Sequence, residues 1–77
     1  MSKLPIVDFR RLEKVLYLLG FERVRQKGSH VFYCHRDGRT TTIPHHSGRD
    51  LARPLLREIL REIEVTPEHF AEHLHKV

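Results

Sequence analysis

Arg25–Ile43 reads RQKGSHVFYCHRDGRTTTI, and how its two turn signals are taken decides the fold. Lys27-Gly28-Ser29 turns the chain just before HVFYCHR, a His30–Arg36 run of aromatic and β-branched residues that predicts a strand. Asp37-Gly38 is a two-residue hairpin signal, and RTTTI returns from Arg39 to Ile43 as the next strand until Pro44 ends it. Upstream, FERVRQ (Phe21–Gln26) reads as a short strand leading into the first turn. Three strands joined by such short connections form an antiparallel meander.

Helical signals flank this meander. Asp8 suits the N-cap of a helix from about Phe9 to Leu19, with Gly20 closing it. Phe9, Leu12, Leu16 and Leu19 form its apolar stripe, with Val15 beside them. After the meander, HHSGRDLA is a connector turned at Gly48. Pro54 then falls in the first turn of a second helix carrying Leu55, Leu56, Ile59, Leu60 and Ile63. Thr66 as N-cap and Pro67 at N1 start a short last helix with Phe70 and Leu74 facing inward. The expected fold is α+β: an α-β-β-β-α layout like that of the double-stranded-RNA-binding domain. Its three-stranded antiparallel sheet has helices on one face and is followed by a short C-terminal helix. Residues 1–77 read as one domain, without repeats, linkers or low-complexity tracts.

Composition narrows the function classes. The single cysteine, Cys34, allows neither an internal disulfide nor a Cys-based zinc site. No stretch approaches the ~20 apolar residues that span a bilayer, so the expectation is a soluble cytoplasmic protein away from membranes. Charge is unevenly spread. Met1–Arg57 holds 12 Lys/Arg against 5 Asp/Glu, whereas Glu58–Val77 holds 2 against 5. A basic body with an acidic end suits a polyanionic partner, and a solvated arginine-rich surface is the bland alternative.

His30 has no role in making either the turn or the strand. An imidazole titrates near neutral pH, which suits a general acid or base in RNA cleavage, where the 2′-hydroxyl is already held beside its phosphorus. The plain alternative is an exposed strand residue. Arg23, Arg25 and Lys27 alternate along the first strand, so they are expected to share a face and to hold phosphate. His45 and His46 point opposite ways on an extended chain, so they make a weak metal pair; one of them could line the His30 site. His69 and His73 share a helix face but lack a third ligand, and His35 is expected to be exposed. Arg49, Arg53, Arg57 and Arg61 form a four-residue-spaced row, either a phosphate-contacting ridge or a helix face paired with Glu58 and Glu62. Phe32 and Tyr33 could stack on bases, with at least one of them required by the core.

LLGFERVRQKGSHVFY followed by DGRTTTIPHHSGRDLARPLLREILREIEVTPEHF resembles the HicA family of bacterial toxins, small mRNA interferases. Gly20-Phe21, the Lys27–His30 turn and the Ile43–Gly48 connector carry the resemblance, which covers nearly the whole chain. It implies a double-stranded-RNA-binding-like fold and endoribonuclease activity on mRNA without a metal or cofactor. It implies that His30 is catalytic and that Gly28 lets the imidazole project from the sheet. His46 matches the family's connector histidine, and Lys27, Gly28, Ser29, Arg23, Arg25 and His46 are the expected substrate-binding residues. The implied partner is a HicB-type antitoxin that covers the active surface and carries a DNA-binding domain, so operator DNA is reached only through the antitoxin. The alternative is a non-catalytic RNA-binding module of the same fold.

Overall fold

The computed structural model describes residues 4–77. Helix α1 (Phe9–Leu18) is followed by strands β1 (Phe21–Lys27), β2 (His30–His35) and β3 (Thr40–Pro44), then helices α2 (Arg53–Glu62) and α3 (Pro67–Leu74). The strands form one antiparallel sheet in the order β1-β2-β3. This is the expected α+β architecture. The expected caps also form: Asp8 accepts from the Arg11 N–H at 3.0 Å, and Thr66 accepts from the His69 N–H at 3.1 Å. Among the described residues no helix is long and apolar enough to cross a membrane.

Among the described residues, the helices cover one face of the sheet and leave the other open. Alternation sends Val31 and Tyr33 of β2 and Thr41 and Ile43 of β3 inward, all buried. Leu12, Val15 and Leu16 of α1 meet them with Leu56, Ile59 and Leu60 of α2, and Phe70 of α3 closes the cluster. Helix α1 packs over β1, α2 over β3, and α3 against both helices. Thr41, the buried polar member, bonds Glu62 across 2.7 Å, so its hydroxyl is not stranded in the core.

The two hairpins differ. Lys27 pairs with His30, so Gly28-Ser29 is a two-residue loop with Gly28 at φ +59°, the first central position of a type II′ turn. The second hairpin is longer than the two-residue turn expected at Asp37-Gly38. The His35 N–H bonds the Arg39 carbonyl at 2.9 Å, leaving Arg36–Gly38 as a three-residue loop. Asp37 accepts from the Arg39 N–H at 3.1 Å and from its Nε at 2.8 Å, while Gly38 takes the left-handed third position at φ +99°. The side-chain cap and the glycine favour this turn-plus-bulge loop over the tighter one.

Register also shifts within β1. Arg23 opposes Tyr33 but Arg25 opposes Phe32, so Val24 is an extra residue, a bulge. Side chains on either side of it therefore fall on opposite faces.

Helix α2 ends in a Schellman motif. The Val65 N–H reaches the Leu60 carbonyl at 3.0 Å and the Glu64 N–H reaches Arg61 at 3.1 Å, with Glu64 at φ 58°. An L-residue in that position is strained, so Glu64→Gly is expected to stabilise the fold by about 0.5–1 kcal/mol. Urea denaturation checks this: the midpoint should rise with no change in m.

Candidate functional site

His30 is exposed at the start of β2, immediately after the Gly28-Ser29 turn. Its cross-strand neighbours are Lys27 on β1 and Pro44 on β3. Among the described residues, its imidazole has no side-chain hydrogen-bond partner. Directly paired residues share a face, so the uncovered side of the sheet carries Lys27 and His30, then Arg25, Phe32 and Thr42, then Glu22, Cys34 and Thr40. The Arg25 guanidinium lies over the Phe32 ring, 4.6 Å from its centroid.

The turn is tied to the connector after β3. The Ser29 carbonyl accepts from the His45 N–H at 2.6 Å, and the His45 ring stacks on Phe9 with centroids 4.0 Å apart and planes 12° from parallel. Beside this stack, His46 and Arg49 line a cleft of about 230 Å³ together with Phe9, Pro44 and Leu51. Pro44 is thus shared: it borders the cleft and is the register partner of His30. The structure therefore brings together Lys27, Gly28, Ser29, His30 and Arg25, with His46 one strand away.

Arg23 does not join them. The expectation that Arg23, Arg25 and Lys27 share a face fails because the Val24 bulge reverses the alternation. Arg23 lies on the helix side, where its Nε bonds Glu13 of α1 at 3.1 Å, and the Tyr33 hydroxyl donates to the same carboxylate oxygen. Burial alone would raise the Glu13 carboxyl. The hydrogen bonds from Tyr33 and Arg23, with the Arg23 charge, outweigh it and hold Glu13 below its ordinary value. Burial and the bond to Glu13 push the Tyr33 phenol up. Arg23 fastens β1 to α1.

Other candidates separate as well. Of the arginine row, Arg49 lies in the connector, Arg53 donates from Nε to the Leu4 carbonyl at 2.8 Å, Arg57 is exposed and Arg61 pairs with Glu58. His35, expected to be exposed, is half-buried edge-on against Phe21 at 5.1 Å. The rings of His69 and His73 touch, but His73 Nδ1 lies 2.9 Å from the His69 carbonyl. No group of three or more His, Cys, Asp or Glu among the described residues is arranged to hold a metal. The sequence reading missed the Phe9–His45 stack and the Glu13–Tyr33 bond. Phe9 reads as one more member of an apolar stripe, and nothing local marks Glu13 among the charges of α1.

The family profile described as HicA toxin of bacterial toxin–antitoxin matches residues 9–65 of the 77. Those bounds take in α1, the whole sheet, the connector and α2. Comparison with curated proteins gives no match.

The Glu13 network makes stability depend on pH in a defined direction. A carboxyl whose folded pKa lies below its unfolded value of 4.5 contributes fully above that value, and the contribution is lost as pH falls through the folded pKa. Urea midpoints measured from pH 7 down to pH 3 should therefore fall below about pH 4.5. In Glu13→Gln the midpoint should start lower, and this part of the acid dependence should be missing.

Proposed function

We propose a reaction from one premise: the chain belongs to the HicA toxin family of bacterial toxin–antitoxin systems. The reaction is endonucleolytic cleavage of mRNA, with His30 as the general acid/base. The observation that carries this reading is the exposed imidazole of His30 at the end of a tight turn, with Lys27 across the strand and Arg25 on the same face. Electrostatic attraction concentrates a polyanion at that end of the sheet.

The chemistry begins with neutral His30 taking the proton of a ribose 2′-hydroxyl. The oxygen attacks the adjacent phosphorus, the bond to the 5′-oxygen breaks, and the imidazolium can return the proton to that leaving oxygen. The products are a 2′,3′-cyclic phosphate and a 5′-hydroxyl end. The nucleophile is supplied and positioned by the substrate, so the step has no requirement for a metal-bound water. Acid–base catalysis by one histidine supplies ~10²–10⁴-fold. Charge stabilisation at the phosphate must add to that, and Lys27 is the nearest cation by register. The N–H groups of Gly28 and Ser29 and the cleft lined by His46 are the neighbouring places for the rest of the strand to bind.

The partner implied by this reading is a HicB-type antitoxin that covers the His30 face, and operator DNA is engaged only through it. The setting is the cytoplasm, where mRNA is found.

Purified wild-type protein should cut end-labelled single-stranded RNA in the presence of chelator. His30→Ala should lose roughly 10²–10⁴-fold in rate while keeping its circular dichroism spectrum, because the removed ring is exposed. RNA binding without cleavage by the wild type would instead leave a non-catalytic binding module.

A further inference from the structure

The uncovered sheet face carries the Phe32 ring among cations, and its placement relative to His30 is specific. Phe32 and His30 are two residues apart on β2 and so stand on the same face, roughly 6.7 Å apart along the strand. That separation is comparable to the step between adjacent phosphates in an unstacked single strand. Arg25 crosses from β1 to lay its guanidinium over the Phe32 ring, and Thr42 flanks Phe32 from β3. Neither Arg25 nor Lys27 has an acidic side-chain partner among the described residues, whereas Arg23, Arg39 and Arg61 each have one. Glu22 lies on the same face at the far end of β1, opposite Cys34, in a cleft it shares with Arg36.

We propose that Arg25 and Phe32 form a base-stacking platform for one unpaired base of a single-stranded RNA, next to the phosphodiester that reaches His30. A planar guanidinium resting on an aromatic ring presents a flat, charged surface on which a base can stack. Base–aromatic stacking tolerates any base, so the platform supplies affinity and placement with little sequence preference. A base held in a duplex cannot leave its stack without a cost, so the platform selects unpaired RNA. Arg25 acts here mainly through its plane, and Lys27 acts through its charge. The assignment of the neighbouring phosphodiester rests on the ribonuclease reading, but the platform itself does not.

The test uses full-length protein carrying His30→Ala, so that the RNA stays intact, and a short single-stranded RNA with one 2-aminopurine. Phe32→Ala and Arg25→Lys, each added to that parent, are expected to weaken binding roughly 5- to 150-fold, the range for losing one stacked base. Both should also reverse the 2-aminopurine quenching seen with the parent. Phe32→Tyr should bind like the parent, and thermal melts confirm that each variant is folded. Arg25→Lys keeps the charge, so the slope of log affinity against log salt should stay unchanged.

Parent-like binding by folded Phe32→Ala or by Arg25→Lys overturns the proposal, as does equal or tighter binding of a duplex. A parent that binds no RNA also overturns it. The same substitutions in the wild-type background separate the two readings. Cleavage with unchanged KM in Phe32→Ala sinks the platform and leaves the ribonuclease. Stacking by a protein that never cleaves sinks the ribonuclease and leaves the platform.

Discussion

The two-residue turn at Gly28-Ser29 sets the register between β1 and β2, and with it the face on which each sheet residue stands. With Lys27 fixed opposite His30, Val31 and Tyr33 point into the core and His30 and Phe32 point away from it. A slip of one residue would exchange the two sets, exposing a buried valine and tyrosine and placing an imidazole under the helices. Burying those side chains is worth about 1.5–3 kcal/mol each, so the core enforces the register that the turn begins. The Ser29 carbonyl adds a second restraint by bonding the connector at His45, which stacks on Phe9 of α1. The backbone of His30 is therefore positioned by its pairing with Lys27 on one side and Pro44 on the other, next to a turn tied to the connector.

This arrangement divides the sheet by task. The helices build the core against one face, and no helix among the described residues packs on the other. Stability is concentrated on the covered side, where Thr41 and Tyr33 have their polar atoms satisfied by Glu62 and Glu13. The uncovered side carries Lys27, Arg25, His30 and Phe32, none of them needed to fill the core. Side chains there can be selected for a ligand with small stability cost, since exposed positions tolerate most residue types.

Much of this was legible because it is local. Asp8, Thr66, Pro54 and the Gly28-Ser29 turn each act within a few residues, and their signals survive in the sequence. The strand pattern of VFY needs only alternation. Other features depend on partners distant in the chain. Asp37-Gly38 is compatible with two loop lengths, and the bonds to Arg39 choose between them. Val24 is an ordinary β-former, so nothing at that position announces that two residues will oppose one. Glu13 looks like any surface carboxylate on α1 until the fold brings Tyr33 and Arg23 to it. The same limit explains why alternation alone groups Arg23 with Arg25 and Lys27, when the bulge puts it on the other face.

The bulge also decides the electrostatics of the uncovered face. Without it, strict alternation would place Arg23 beside Arg25 and Lys27, three like charges on adjacent pleats. With it, the Arg23 charge is compensated by Glu13 on the other side, and the cations remaining on the face gather toward the turn. At the opposite end Glu22 shares a cleft with the exposed Arg36, so the charge there is mixed, whereas Arg25 and Lys27 lie together on the face beside His30. Two neighbouring cations at one end of the face favour an anionic ligand there over the mixed-charge end. A one-residue irregularity in an edge strand thus does two things: it fastens the sheet to α1 through Arg23, and it leaves Arg25 and Lys27 together on the open face beside His30.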